Sequence, residues 1–170
     1  MAVGVQDLIE SALGAIKLNI LVFGPTLKAV STDESTRHLQ DKRRQIRDEL
    51  ALLGHNVQYA EDLVDPSLGN MVFQEQIIMR EYDLIITLVG SPGTIVEATM
   101  ISQKSELAQK SQLFLDSRFT DGLTAEACRL AHDIGAFYLE YEYPKDLVEC
   151  HLLGYAKERV HKAQLVRYFI

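Results

Sequence analysis

The chain has no tryptophan and only two cysteines in 170 residues, and their separation fits neither a disulfide framework nor a zinc site. Cys128 and Cys150 therefore read as reduced thiols, and no metal follows from them. Basic residues are scarce as well: 17 Lys and Arg against 24 Asp and Glu leave a formal charge of −7. That balance argues against a sequence-independent grip on a nucleic acid polymer, because neutralising phosphates takes a basic surface. Uninterrupted apolar runs fall far short of the roughly 18 to 20 residues that a bilayer-crossing helix needs. Asp7 and Glu10 stand where a secretory signal would carry positive charge. The expectation is a soluble, unexported, cytoplasmic protein without a membrane partner. Low-complexity tracts, internal repeats and Pro/Gly/Ser-rich linkers are missing too, which predicts one domain over residues 1–170.

What the chain does have is a rhythm of short Val/Ile/Leu/aromatic runs alternating with longer stretches of helical period, the pattern of a parallel sheet covered by helices. Strands are expected at Leu18 to Phe23, Asn56 to Ala60, Leu84 to Val89, Leu113 to Leu115 and Ala136 to Glu140. Leu84 to Val89 is almost continuously apolar, so it should be central and covered on both faces. A short helix is expected at Val5 to Ile16, within an N-terminal extension of about residues 1–16. Between Glu34 and Leu53, Leu39, Ile46, Leu50 and Leu53 form one apolar stripe, and Gly54 ends the helix. Further helices are expected from Ser67 to Glu81 behind Pro66, from Thr94 to about Lys110, and from Thr124 to Ile134. Pro144 opens a long last helix to about residue 168. The fold class is α/β: a three-layer α/β/α sandwich on a five-stranded, mostly parallel sheet of the flavodoxin or Rossmann type. Ligands of such sheets lie at the carboxyl ends of the strands.

The first strand ends in Phe23-Gly24-Pro25-Thr26, where Gly24 would let a ligand approach the backbone. The same residues also serve as a plain turn, with Ser31-x-x-Glu34 capping the next helix. Glu61 and Asp62 follow the second strand and are placed to receive sugar hydroxyls, or to sit in solvent as loop acids. Arg43, Arg44 and Arg47 can hold a phosphate, yet on an amphipathic helix they read as a solvated basic face. The five histidines show no metal-ligand spacing. Asp116 to Gly122, after the fourth strand, is either a further crevice wall or an ordinary polar connection.

The richest segment is Val89-Gly90-Ser91-Pro92-Gly93-Thr94-Ile95-Val96-Glu97. Its glycines let backbone N–H groups and the positive end of a helix dipole face an anionic or polyhydroxylated ligand, with Ser91 and Thr94 adding hydroxyls. Glu97 then projects into the crevice as an ionised carboxylate. Thr94-x-x-Glu97 equally satisfies the capping-box pattern, in which both side chains only tie off their own helix. There is no G-x-S-x-G elbow, P-loop or G-x-G-x-x-G fingerprint, so serine hydrolases, P-loop NTPases and dinucleotide dehydrogenases lose ground.

On these residues the chain resembles the nucleoside 2-deoxyribosyltransferase and nucleotide N-glycoside hydrolase superfamily. Val22-Phe23-Gly24-Pro25 matches its first strand and turn, and Leu84 to Val89 with Gly93-Thr94 and Glu97 matches its later strand, Gly-Thr loop and catalytic glutamate. Many members carry an aspartate just before the Gly-Thr, where this chain has Gly90-Ser91-Pro92. Lonely-guy phosphoribohydrolases and Toll/interleukin-1-receptor-like NAD glycohydrolases are related in shape. The resemblance implies N-glycosidic cleavage or transfer without a cofactor on a nucleoside, nucleotide or NAD-like substrate. Glu97 would be the nucleophile or oxocarbenium stabiliser, and Gly24, Pro25, Thr26, Glu61, Asp62, Ser91, Gly93 and Thr94 would hold the substrate. The alternatives are a nucleotide sensor acting through protein partners and an oligomerising structural protein built on the apolar C-terminal helix. A homo-oligomer is expected under each.

Overall fold

The computed structural model describes residues 4–149 and 151–170. In chain order the elements are α1 (Val5–Gly14), β1 (Asn19–Phe23), α2 (Glu34–Leu52), β2 (Asn56–Tyr59), α3 (Met71–Glu81), β3 (Leu84–Val89), α4 (Pro92–Ser102), α5 (Ser105–Ala108), β4 (Ser111–Asp116), α6 (Leu123–Asp133), β5 (Phe137–Tyr141), α7 (Lys145–Val148) and α8 (His151–Phe169). Single 3-10 turns occupy Ala60–Asp62, Pro66–Leu68 and Ser117–Phe119.

All strand pairs are parallel, in the order β2-β1-β3-β4-β5. β3 is central and fully buried, as its unbroken apolar run predicts. Alternation along the strands separates two cores. Ile20, Val22, Leu84, Ile86 and Phe114 pack beneath α2 and α8, with Leu39, Ile46 and Leu50 from α2 and Leu152 and Ala156 from α8. Leu21, Ile85, Val89 and Leu113 face the other way, onto Met79, Ala98, Ile101 and Cys128 of α3, α4 and α6. The result is a three-layer α/β/α, Rossmann-like sandwich. Its strand order reverses between β1 and β3, which makes the carboxyl ends of those two strands the switch point where a crevice forms. Among the described residues no helix is long and apolar enough to cross a membrane.

Three helices are shorter than their periodicity predicts. The segment expected from Ser67 breaks at Gly69, whose φ of +81° no helix accommodates, and α3 starts only after Asn70 accepts a hydrogen bond from the Phe73 N–H at 3.1 Å. The helix expected from Thr94 to Lys110 begins two residues earlier, with Pro92 in its first turn, and ends at Ser102. Lys104 turns extended before the single turn α5. The long helix expected behind Pro144 is two helices, separated where Glu149 adopts extended backbone, and Cys150 lies outside the described residues.

Candidate active site

β1 ends at Phe23 and β3 at Val89, and between their continuations lies a cleft of about 310 Å³. Gly24, Thr26 and Lys28 line it from the loop after β1, Glu61 from the turn after β2, Glu75 from α3, and Ser91, Gly93 and Glu97 from the start of α4. Of the residues singled out in the sequence, the fold thus brings together Gly24, Thr26, Glu61, Ser91, Gly93 and Glu97. Three others stand apart: Pro25 is buried, Asp62 is exposed and outside the cleft lining, and Thr94 is buried beneath the loop.

Thr94 is absent from the lining because it holds the loop closed. Its hydroxyl accepts from the N–H groups of Gly90 at 3.0 Å and Ser91 at 2.9 Å and donates to the Ser91 carbonyl at 2.8 Å. The Ser91 hydroxyl accepts from the Thr94 N–H at 3.4 Å. The capping box of α4 is therefore Ser91 with Thr94, one turn earlier than the expected pair of Thr94 with Glu97. This corrects two expectations. The loop is no open cradle of main-chain amides, since its donors are consumed internally and Pro92 has none. The Gly93 N–H alone is uncommitted in that turn, among the described residues. Glu97, for its part, is released from any capping duty. The Ser31-x-x-Glu34 box is likewise displaced, because Asp33 caps α2 by accepting from the Thr36 N–H at 2.7 Å.

Glu97 is 7% exposed, and one of its carboxyl oxygens, Oε2, has no hydrogen-bond partner among the described residues. Its other oxygen hangs over Gly93, 3.6 Å from where a β-carbon would stand. Burial away from water, reinforced by the Glu75 carboxylate, pushes the Glu97 carboxyl up to about 8, while its own backbone N–H and Arg43 only partly offset this. The ionised state expected beside the helix N-terminus is thus not the resting one at neutral pH. The loop donors that would have favoured it are turned inward, and neighbouring acids oppose it. Burial and Glu61 raise Glu75 as well.

Arg43 is the residue that the reading of a solvated basic face missed. It is 1% exposed and reaches from α2 under the cleft. Its Nη1 donates to Glu61 Oε1 at 2.6 Å and to the Pro25 carbonyl at 3.0 Å. Its Nη2 donates to Glu61 Oε2 at 2.6 Å and to the Val22 carbonyl at 2.8 Å. The guanidinium also stacks on Tyr59 at 4.5 Å. A signal for this existed in the sequence, because Arg43 lies four residues after Leu39 and three before Ile46, on the apolar stripe itself. The arrangement also gives Gly24 a structural reason: a β-carbon there would meet Arg43 Cδ at 2.6 Å. Lys28 had no sequence signal beyond being a polar residue in a loop, and Glu75 none beyond being a polar residue within a helix.

The cleft therefore offers three carboxyl groups, a single ammonium at Lys28, the Ser91 and Thr26 hydroxyls and the Gly93 N–H. Such a surface disfavours an anion and suits a hydroxylated group that gains positive charge. Among the described residues no group of three or more His, Cys, Asp or Glu side chains is placed to hold a metal ion. Compared with family models and with curated proteins, the chain matches none of them at a significant level.

Proposed function

We propose that the chain cleaves or transfers at the N-glycosidic bond of a nucleoside-type substrate, with Glu97 as the acting carboxyl group. The observation that carries this reading is the buried Glu97 carboxyl, whose Oε2 finds no hydrogen-bond partner among the described residues, in an acid-rich cleft at the β1/β3 switch point. Among nucleosides, nucleotides and NAD-like molecules, a substrate with an uncharged ribosyl or deoxyribosyl group fits best, because the loop amides that would receive a phosphate are already taken.

The sugar lies with its anomeric carbon against Glu97 and its hydroxyls toward Ser91, Thr26 and the free Glu61 lone pairs. As the bond to the base breaks, the base keeps the electron pair and positive charge grows on the sugar. The fraction of molecules in which Glu97 is already ionised, which grows as pH approaches 8, is the reacting one, and its carboxylate stabilises the oxocarbenium-like state or traps it as a glycosyl ester. Water, or a second base in a transfer, then attacks the anomeric carbon, and the attacking group's proton ends on the departed base. Glu61 is held rigidly by Arg43 and serves positioning, while Glu75 sets the field that Glu97 feels.

The test is chromatographic: the protein is incubated with a panel of nucleosides, nucleotides and NAD, and released base is resolved. Release is expected from at least one nucleoside, and Glu97→Gln should lower it at least about 100-fold with the fold intact. Because the ionised carboxyl acts, kcat/KM should rise with pH and level off above about 8. No release from any member of the panel, or full turnover by Glu97→Gln, overturns the reading.

A further inference from the structure

A separate pocket, of about 210 Å³, lies at the amino ends of β4 and β5, the end of the sheet opposite the cleft. Gln112 and Phe137 open it from the first residues of those strands, Leu139 follows along β5, and Tyr155, Arg159 and Lys162 reach it from α8. Arg159 belongs to the buried stripe of that helix, with Leu152, Ala156 and Val160, and is 7% exposed. Its Nη2 donates to the Gln109 carbonyl at 2.7 Å, and its guanidinium stacks on the Phe137 ring at 3.9 Å. No carboxylate among the described residues pairs with it, because Glu158 beside it in the chain bonds Lys162 instead, at 2.7 Å. Burial accordingly pulls the Arg159 guanidinium below its ordinary value, with no acid to offset it. Arg43 is just as deep, but it has its counter-charge in Glu61. A buried cation without one destabilises the free protein until an anion arrives.

The kind of anion follows from what the guanidinium has left to give. Its Nε is sealed from solvent and its Nη2 is taken, but Nη1 bonds nothing among the described residues and is not sealed, so one arm is open to the pocket. One arm cannot grip a phosphate through two parallel bonds, as Arg43 grips Glu61. Two bases and one acid line the pocket, which leaves one positive charge for a single negative charge to neutralise. Phe137, Leu139 and Tyr155 supply an apolar, largely aromatic wall for the rest of the molecule. The volume is below that of drug-sized sites, so the occupant is small.

We propose that this pocket binds a small monocarboxylate with an apolar or aromatic body, its carboxylate on Arg159 Nη1 and its body against Phe137, Leu139 and Tyr155. The site is independent of the chemistry at Glu97 and of any nucleoside.

The experiment titrates benzoate into the full-length protein by calorimetry, with benzamide as its uncharged match and inorganic phosphate as the polar anion, and repeats the titrations on Tyr155→Glu and Arg159→Met. Benzoate should saturate the wild type at millimolar concentration or below, with benzamide and phosphate each at least about 10-fold weaker. Tyr155 is half exposed and lies four residues before Arg159 on α8, so its glutamate variant should fold and set a carboxylate within reach of the guanidinium, weakening benzoate at least about 10-fold. Arg159→Met should abolish benzoate binding, and Tyr155→Glu decides the matter by itself if the methionine variant does not fold. Absence of saturable benzoate binding, benzamide or phosphate binding as tightly as benzoate, or benzoate binding indifferent to Tyr155→Glu or to a folded Arg159→Met each overturns the proposal.

Discussion

On the β1 and β2 side of the cleft Glu61 receives both arms of a guanidinium at 2.6 Å, whereas on the α4 side Glu97 holds a buried carboxyl oxygen with no hydrogen-bond partner among the described residues. The two acids line one cavity but differ in depth, the Glu61 side chain being 28% exposed and Glu97 7%, and they differ again in their neighbours. Arg43 satisfies Glu61 and two main-chain carbonyls, and the guanidinium so engaged faces Glu97 only weakly. One side of the cleft is thus a settled ion pair that gives shape, and the other is a group kept out of its most stable state. Polar groups left unmet inside a protein cost stability, and they persist where a reaction uses them.

The strongest way to break this contrast is to remove the settled side. Arg43→Ala leaves Glu61 unpaired and the Val22 and Pro25 carbonyls without their donor, and should destabilise by about 3–5 kcal/mol in denaturant melts. A loss below about 1 kcal/mol would mean that the pair contributes little.

Removing the unsettled side should act in the opposite direction. The folded protein holds the Glu97 proton up to about 8, against 4.5 ordinarily. Stability from this group is therefore complete below about pH 4.5, falls as pH rises to about 8 and is flat above that. Glu97→Gln, which cannot ionise, should match wild type near pH 4.5 and exceed it at pH 8, by an amount on the order of 3 kcal/mol. Thermal melts at the two pH values decide it, and equal shifts at both would show that ionisation is not the cause.

Smaller effects sharpen the picture. Gly24→Ala drives a methyl group into the pinned Arg43 side chain and should destabilise by about 1–3 kcal/mol, again by denaturant melt. Glu75→Gln removes the acid that most raises Glu97 after burial. It should move the midpoint of the kcat/KM profile down from about 8 and change stability by less than about 1 kcal/mol. An unmoved midpoint would assign the whole shift to burial.

The sheet was legible in the sequence because parallel strands buried on both faces leave continuous apolar runs. β3 shows this over six residues, and its central place followed. Helix ends were harder. The stop at Gly69 is written in a glycine, but the one after Ser102 carries neither glycine nor proline, so periodicity ran through it. Within the site, Glu97 and its glycine-rich loop stood out because they are contiguous. Arg43, Glu75 and Lys28 did not, since each meets the cleft from a separate element. Arg43 finds partners eighteen to twenty-one positions away, beyond any local pattern. The loop misled in a subtler way: the glycines that would bare its amides sit beside a threonine that covers them.

The reach of Arg43 gives the cavity a thermal weak point of its own. A single side chain from α2 ties the ends of β1 and β2 together, so brief undocking of that helix would dissolve the cleft floor while the sheet stays paired. On gradual heating, the proposed base release should fade before the far-ultraviolet signal of the sheet does. Amide exchange along α2 should slow when a sugar fills the pocket.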